Sequence, residues 1–405
     1  MRFTLQSAHL VDAAIDVPGS TLTVDGSQIE AVASPSDNQG TLIDATKMIV
    51  TPGFIDVHTH GGGGCNLHTV HAEEIEGYAR WVPATGVTSF LIGVVGAPGT
   101  LPEQQLTAAV EAIAAWTAGA EPLGIHLEGP YINAERRGAH MPTWLRMPTA
   151  AEAQRVLDLS GGYLRLITLA PELPGAAAMI QRMKEAGVTV SIGHTDATYE
   201  QTLEAFQLGV THMTHCCNAM RPLHHREPGP LGALAQSLQV YGELIADGVH
   251  VHPAMMKIIV KALGPARTIV ITDALSAAGL SEDTAFEFAG QPAQLLHGAA
   301  RLADGTITGS VLTMDLALRN ILEMTDFSLQ DAVRMLTLNP AHAAQSAERK
   351  GLLKAGYDAD LLILDESLQL QATICRGEIA FATPAWQERL EELGALVHPK
   401  ASAGE

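Results

Sequence analysis

The chain has 405 residues, with 47% hydrophobic and 17% charged, and 24 Lys+Arg stand against 44 Asp+Glu for a formal net charge of -20. This composition excludes a disordered chain, and its length suits two or three domains or one large barrel with an appendage. The negative field disfavours nucleic acid and anionic membranes as partners, while a pocket with a few cations can still take a small anion.

Four cysteines, Cys65, Cys216, Cys217 and Cys375, stand at irregular spacing and make neither a disulfide framework nor a four-thiolate zinc site. Asp12 and Asp16 interrupt the opening segment, and nowhere do 18 uncharged apolar residues run together. The expectation is a cytoplasmic protein without signal peptide or membrane span.

In chain order, short strands open the sequence at Phe3 to Leu10, Thr21 to Val24 and Ile29 to Val32, with turns expected at Pro18-Gly19 and Asp25-Gly26. From Gly53 onward, strand-like runs alternate with Ala/Leu/Glu-rich helical stretches. The runs are Gly53 to His58, Val87 to Val95, Leu123 to Glu128, Leu164 to Leu169, Val188 to His194, Val210 to His215, Glu243 to Val249 and Thr268 to Thr272. Helices are predicted at Glu103 to Ala118, Ala151 to Leu159, Ala176 to Ala186, Tyr199 to Leu208 and Pro253 to Leu263. Eight such alternations are the texture of a parallel (β/α)8, TIM-like barrel.

Strand texture returns at Asp358 to Leu364 and through Ile374, Cys375 and Ile379, so the two chain ends are expected to pair. An amphipathic helix is predicted over Pro384 to Val397, from the spacing of Trp386, Leu390, Leu393 and Val397. The α/β fold expected is therefore a barrel over residues 52–345, with a small discontinuous β-sandwich made from residues 1–51 and 346–405. No phosphate-loop or dinucleotide glycine fingerprint is found.

The polar residues at or just beyond the barrel strand ends are His58-Thr59-His60, Glu128, His194, His215, His250 and Asp273. In such a barrel these ends converge on one mouth. Any one histidine alone reads as a hydrogen-bonded structural residue, but the set reads as chemistry. Glu128, His194 and His215 form two imidazoles and a carboxylate, the three-ligand set of a catalytic divalent metal with an open position. Alternation along an extended strand puts His58 and His60 on one side, where both can grip an ion; a loose glycine loop carrying exposed histidines is the alternative.

The strand-end pattern resembles the amidohydrolase superfamily. Longer strings narrow it: Pro52-Gly53-Phe54-Ile55-Asp56, His126-Leu127-Glu128-Gly129-Pro130, Gly193-His194-Thr195, the run from Asn218-Ala219-Met220 to Glu227-Pro228-Gly229, and Thr272-Asp273-Ala274-Leu275-Ser276-Ala277-Ala278-Gly279 are similar to the N-acetylglucosamine-6-phosphate deacetylase family. The likeness spans nearly the whole chain. It implies hydrolysis of the acetamide of N-acetylglucosamine 6-phosphate to glucosamine 6-phosphate and acetate, in amino-sugar catabolism or recycling.

The same resemblance implies roles. A metal-activated water attacks the acetyl carbonyl, with Asp273 as general base and then acid. His140 and Ala139 on the long loop Tyr131 to Pro148 contact substrate, His140 orienting the acetamide. Asn218 and Ala219 offer amides to the phosphate, His250 contacts it, and Arg226 reaches it from the partner subunit of a homodimer; a solvated loop arginine is the plain alternative. Ile307, Thr308 and Gly309 form a further substrate loop. Zinc is the first choice of ion, with Fe2+, Co2+ and Mn2+ compatible, and one or two ions per subunit. The fourth strand lacks the lysine that bridges two ions in related enzymes, so Glu128 would have to bridge. The competing readings are another amidohydrolase sharing the metal site, and a barrel scaffold without catalysis.

Overall fold

The structure is a computed structural model, and it describes residues 2–33, 40–281, 286–288, 291–296, 298–303 and 305–391. Eight parallel strands run in sequential order around a barrel: Phe54–Asp56, Val87–Val94, Glu121–Glu128, Leu164–Leu169, Thr189–Ile192, His212–Met213, Tyr241–Ile245 and Thr268–Ile271. Helices cover the outer face of the barrel and strand side chains fill its interior, so the strands read as continuous apolar runs, and Val87–Val94 is buried at every position. The first and eighth strands meet just beyond their ends. There the Asp273 amide donates to the His58 carbonyl at 2.8 Å and the Thr272 hydroxyl to the buried Asp56 carboxylate at 2.6 Å.

Local chemistry sets the helix ends. Tyr199–Leu208 starts at a capping box of Thr198 and Gln201 and stops at Gly209 in the left-handed region. Ala150–Leu159 is capped by the Thr149 side chain. Two helices stop short of their predicted ends, at Ala115 and Glu185.

The chain ends build a sheet domain of their own. Its hydrogen-bonded order is Glu378–Ala382, Leu370–Cys375, Leu361–Leu364, Ile49–Pro52, Arg2–Val11, Asp16–Asp25 and Gln28–Ala33, with Thr41–Asp44 pairing Arg2–Val11. Its core, around Leu5, Leu22, Ile363 and Trp386, is separate from that of the barrel. Pro18-Gly19 is not a turn: it lies inside the strand Asp16–Asp25, where Gly19 at φ +64° coincides with a register shift against Arg2–Val11. One extra residue in a paired strand bulges it without ending it. The terminal helix runs over Pro384–Glu391, and Leu393 and Val397 lie outside the described residues.

The two domains are pinned by Lys350, 1% exposed, whose ammonium lies 2.9 Å from Glu121 on the barrel and 2.9 and 2.5 Å from Asp358 and Asp360 on the sheet side. Among the described residues no helix is long and apolar enough to cross a membrane.

Between the eighth strand and the helix Met314–Met324 the chain inserts an antiparallel sheet of Phe286–Phe288, Gln291–Leu296, Ala299–Leu302 and Ile307–Ser310. Its last strand is tied beside Asp273 by Ser310 N–H to the Asp273 carbonyl at 2.8 Å and Leu275 N–H to the Ser310 carbonyl at 3.0 Å. This places Ile307, Thr308 and Gly309 at the barrel mouth.

Candidate active site

Four of the barrel strands stop where a polar side chain faces the mouth. Glu128 ends the third strand, His194 and His215 follow the fifth and sixth by two residues, and Asp273 follows the eighth by two. The backbone at His194, His215 and Asp273 is left-handed, with φ of 47°, 27° and 49°. For residues with a side chain this is an unfavourable region, held at functional sites by surrounding structure. Here the holding bonds are visible: His215 accepts the Asn218 amide at 3.0 Å, and Asp273 is tied to His58 and Ser310.

Two groups of side chains converge. In one, Glu128 Oε1 lies 3.1 Å from His194 Nε2 and 3.1 Å from His215 Nε2, and those two nitrogens are 3.0 Å apart. In the other, His60 Nε2 lies 3.3 Å and His58 Nε2 3.5 Å from Asp273 Oδ1. Glu128 stands between them, its Oε2 3.3 Å from His60 Nε2. His58, His60, Glu128, His194 and His215 are all buried.

The donor set fits a cation. His194 Nδ1 faces the Arg136 carbonyl at 2.9 Å; an oxygen there only accepts, so the ring proton sits on Nδ1 and Nε2 is bare. A bare nitrogen 3.0 Å from a second imidazole nitrogen and 3.1 Å from a carboxylate converges on the point an ion would take. His58 Nε2 is likewise buried without a hydrogen bond. Glu128, His194 and His215 would hold one divalent ion, and His58, His60 and Asp273 a second position beside it.

Burial alone would push Asp273 up, but the His58 charge and the His60 hydrogen bond bring it to about 2, so it stands as a carboxylate. Burial lowers His140, with the nearby Glu128 carboxylate only partly offsetting it, and its ring is neutral. Its Nε2 lies 3.5 Å from Glu128 Oε2 and its ring packs edge-on to His194. His250 goes the other way. Burial would lower it, but Asp247 at 2.5 Å from Nδ1 raises it, while Nε2 has no partner among the described residues.

A cavity of about 350 Å³ opens above these groups, within the range of small-molecule sites. Ala139, His140, Asn218, Ala219, His250, Ile307, Thr308 and Gly309 line it together with His60, Glu128, His194, His215 and Asp273. His58 lies beneath, fully buried. Arg226 is not there: it is exposed on its loop, donating to His225 Nε2 at 2.7 Å. The Asn218 amide and side chain are both spent within the turn, on the His215 and Cys216 carbonyls, whereas the Ala219 amide makes no such bond among the described residues.

The loop over the mouth is tied down at several points. The Arg137 guanidinium donates to the His140 carbonyl at 2.8 Å, and Arg136 pairs with Asp196 at 2.8 Å, itself held by Arg221 at 2.6 Å. Gly138, at φ +57°, lies where an added Cβ would come within 3.2 Å of the His194 ring, so a bare backbone is what lets the loop close over that ligand. Trp144 is 6% exposed and packs the loop onto the barrel.

Reading the sequence missed Arg136, whose carbonyl orients His194, and Glu243, whose Oε2 lies 2.9 Å from His58 Nδ1. The signal for Glu243 was a carboxylate inside an otherwise apolar barrel strand.

The profile of the amidohydrolase family matches residues 49–385. The chain belongs to the amidohydrolase family. Within this family it is 38% identical to the N-acetylglucosamine-6-phosphate deacetylase of Bacillus subtilis (strain 168), over 82% of this chain and 85% of that one. It is 36% identical to the N-acetylgalactosamine-6-phosphate deacetylase of Escherichia coli O157:H7, over 82% and 88%. Among solved structures, this amidohydrolase superposes on a point mutant of the Mycobacterium smegmatis N-acetyl-D-glucosamine-6-phosphate deacetylase in complex with N-acetyl-D-glucosamine-6-phosphate. The TM-score is 0.88 at 35% identity, covering 94% of this chain and all of that one.

Proposed function

We propose that the protein is a metal-dependent N-acetylglucosamine-6-phosphate deacetylase, releasing acetate and glucosamine 6-phosphate in amino-sugar metabolism. The observation that carries this is the meeting of Glu128, His194, His215 and Asp273 at the floor of one cavity, in a chain whose relatives carry that activity. A divalent ion bound there supplies an activated water and polarises the acetyl carbonyl. Zinc is the ion we assign, because two imidazoles and one carboxylate with an open position are its usual catalytic set.

Asp273 takes a proton as water adds to the acetyl carbon, and gives it to the sugar nitrogen as the carbon–nitrogen bond breaks. One carboxylate thus serves as base and then as acid, and the proton count closes. The neutral His140, on the loop that closes the mouth, orients the acetamide. His250, whose pKa the Asp247 carboxylate raises, and the free Ala219 amide face the phosphate, with Ile307, Thr308 and Gly309 along the sugar.

This leaves the phosphate short of a bidentate cation, which supports taking Arg226 from the partner subunit of a homodimer. Leu223, 47% exposed, and Ile258, 54% exposed, flank an apolar hollow close in sequence to the Arg226 loop, which suits a covered face. Reduced thiols and the absence of a disulfide pair among Cys65, Cys216, Cys217 and Cys375 suit a cytoplasmic setting.

The test is acetate release from N-acetylglucosamine 6-phosphate, from its 4-epimer and from the unphosphorylated sugar, on chelator-stripped protein before and after refilling with zinc. Zinc-dependent release confined to the phosphorylated sugars is expected. Equal release with and without the phosphate would favour another amidohydrolase substrate, and release from neither phosphorylated sugar would end the reading.

A further inference from the structure

Glu243 lies on the seventh barrel strand, Tyr241–Ile245, with its side chain inside the barrel and no exposed surface. Its Oε2 touches both ligand groups at once: it lies 2.9 Å from His58 Nδ1 and 3.3 Å from the backbone N–H of His215. Its Oε1 has no hydrogen-bond partner among the described residues. An isolated buried carboxylate is costly, and among the described residues His58 is the one side chain that hydrogen-bonds it.

We infer that Glu243 is a positioning residue that fixes His58 in the form able to bind an ion, and so sets the affinity of the His58, His60 and Asp273 position. The inference rests on the proposed metal site and adds a residue outside its ligand set. A carboxylate can only accept, so His58 Nδ1–H donates to Glu243, which keeps that proton on Nδ1 and leaves Nε2 as the nitrogen open to an ion. That nitrogen faces Glu128 Oε1 at 3.4 Å and Asp273 Oδ1 at 3.5 Å, two acceptors that would otherwise draw a proton onto it. Without Glu243 no acceptor among the described residues holds Nδ1, the ring is free to turn Nε2 away from the ion position, and a proton that Nε2 donates to those carboxylates has to be displaced before an ion binds.

With Glu243 in place, the lone pair lies between two carboxylates, which is stable when a cation sits among them. The carboxylate also makes the imidazole a stronger donor, as in other carboxylate–histidine–metal arrangements. Because the same oxygen holds the His215 amide, one side chain keeps the two ligand groups at a fixed spacing.

The experiment is a zinc titration of metal-stripped protein, followed by calorimetry and by metal content after dialysis, on the wild type, Glu243→Gln and Glu243→Leu. Glutamine keeps the size and can present its amide N–H to His58 Nδ1, selecting the wrong tautomer; leucine removes the acceptor in an apolar isostere. The expected result is two ions in the wild type, with the weaker one lost or weakened about 10–100-fold in both variants. The ion at Glu128, His194 and His215 should be retained within a few fold, a split that general loosening of the barrel would not give.

Equal affinity at both positions in both variants overturns the inference. So does a wild type that takes a single ion, since nothing then sits at His58; acetate release by that one-ion protein would leave the deacetylase reading standing. If neither variant folds, the ring protons of zinc-loaded wild type decide: a downfield, slowly exchanging Nδ1 proton on His58 supports the inference, and its absence overturns it.

Discussion

Replacing Asp273 with asparagine isolates proton transfer from everything else the site does. Asparagine matches the carboxylate in shape and tolerates the left-handed backbone, φ 49°, better than most residues, so little strain is added. What is lost is a group able to take a proton from water and return it to the amine. Among the cavity-lining residues the other carboxylates are Glu128, engaged by His194 and His215, and Glu135. No unengaged carboxylate at the floor therefore replaces Asp273. General acid–base catalysis contributes about 10²–10⁴-fold, and since one residue serves both steps, kcat should fall towards the upper end, roughly 10³–10⁴-fold or about 4–5 kcal/mol of barrel-floor chemistry. KM should stay within a few fold, because His250, Ala219 and Thr308 are untouched. The assay is steady-state acetate release in excess zinc, with metal content measured on the same samples, so that loss of an ion at His58 and His60 is not mistaken for loss of the base. A fully loaded Asp273→Asn protein that retains kcat within about tenfold of the wild type would refute the assignment.

Glu128→Gln should abolish stable ion binding at the first position and reduce turnover by at least about 10³-fold, read by metal content and acetate release, because its carboxylate is the one that meets both His194 and His215. Arg226→Ala should raise KM for the phosphorylated sugar, and mixing it with Asp273→Asn subunits should restore activity, because the Arg226→Ala subunit keeps its own Asp273 and borrows Arg226 from its partner; no recovery on mixing would refute the shared site. At the domain junction, burial pushes Glu121 up, but Arg349 and Lys350 more than offset it and hold it at about 2, below its ordinary 4.5. A depressed carboxylate stabilises the fold fully above its ordinary value and loses that contribution as pH falls through the folded one. The gap is worth about 3 kcal/mol, so wild type should lose stability between about pH 4.5 and 2 more steeply than Glu121→Gln, compared by urea unfolding along a pH series. Parallel curves would refute it.

Much of this site was legible because of what a parallel barrel does to sequence. Strands buried on both faces read as apolar runs, so a polar residue that ends a run is conspicuous, and Glu128, His194, His215 and Asp273 could be picked out by position alone. What stayed hidden has physical causes. Glu243 sits inside a run, where a charged residue looks like a ragged strand start until its partner, 185 positions earlier in the chain, is brought beside it. Arg136 contributes through a backbone carbonyl, which no side-chain pattern records. Asn218 carries donors on paper, but the turn that presents it consumes them. Pro18-Gly19 looked like a turn because those residue types mark turns in general, yet a bulge in a long paired strand uses the same backbone freedom.

The strand lengths themselves follow from the chemistry. His212–Met213 is two residues long and Thr189–Ile192 four, against eight for Val87–Val94 and Glu121–Glu128. The pleat throws side chains alternately inward and outward, and an inward chain on a strand stands beside its neighbours rather than over the barrel axis. The pleat is broken and the backbone turned left-handed at His194 and His215, whose Nε2 atoms lie 3.0 Å apart over the mouth. Glu128 needs no such turn, since a flexible side chain at the end of a full-length strand reaches the same point. The short strands are thus the places where ladder hydrogen bonds were given up for ligand geometry. The barrel recovers them with bonds aimed from outside the strands: Cys216 N–H to the Glu243 carbonyl at 2.8 Å, Thr214 N–H to the Ile192 carbonyl at 2.8 Å, and the Asp273 amide to His58. The first two bonds hold the residues on either side of His215 and the third ties Asp273 to His58, so the same contacts that close the barrel also hold members of both ligand groups in place.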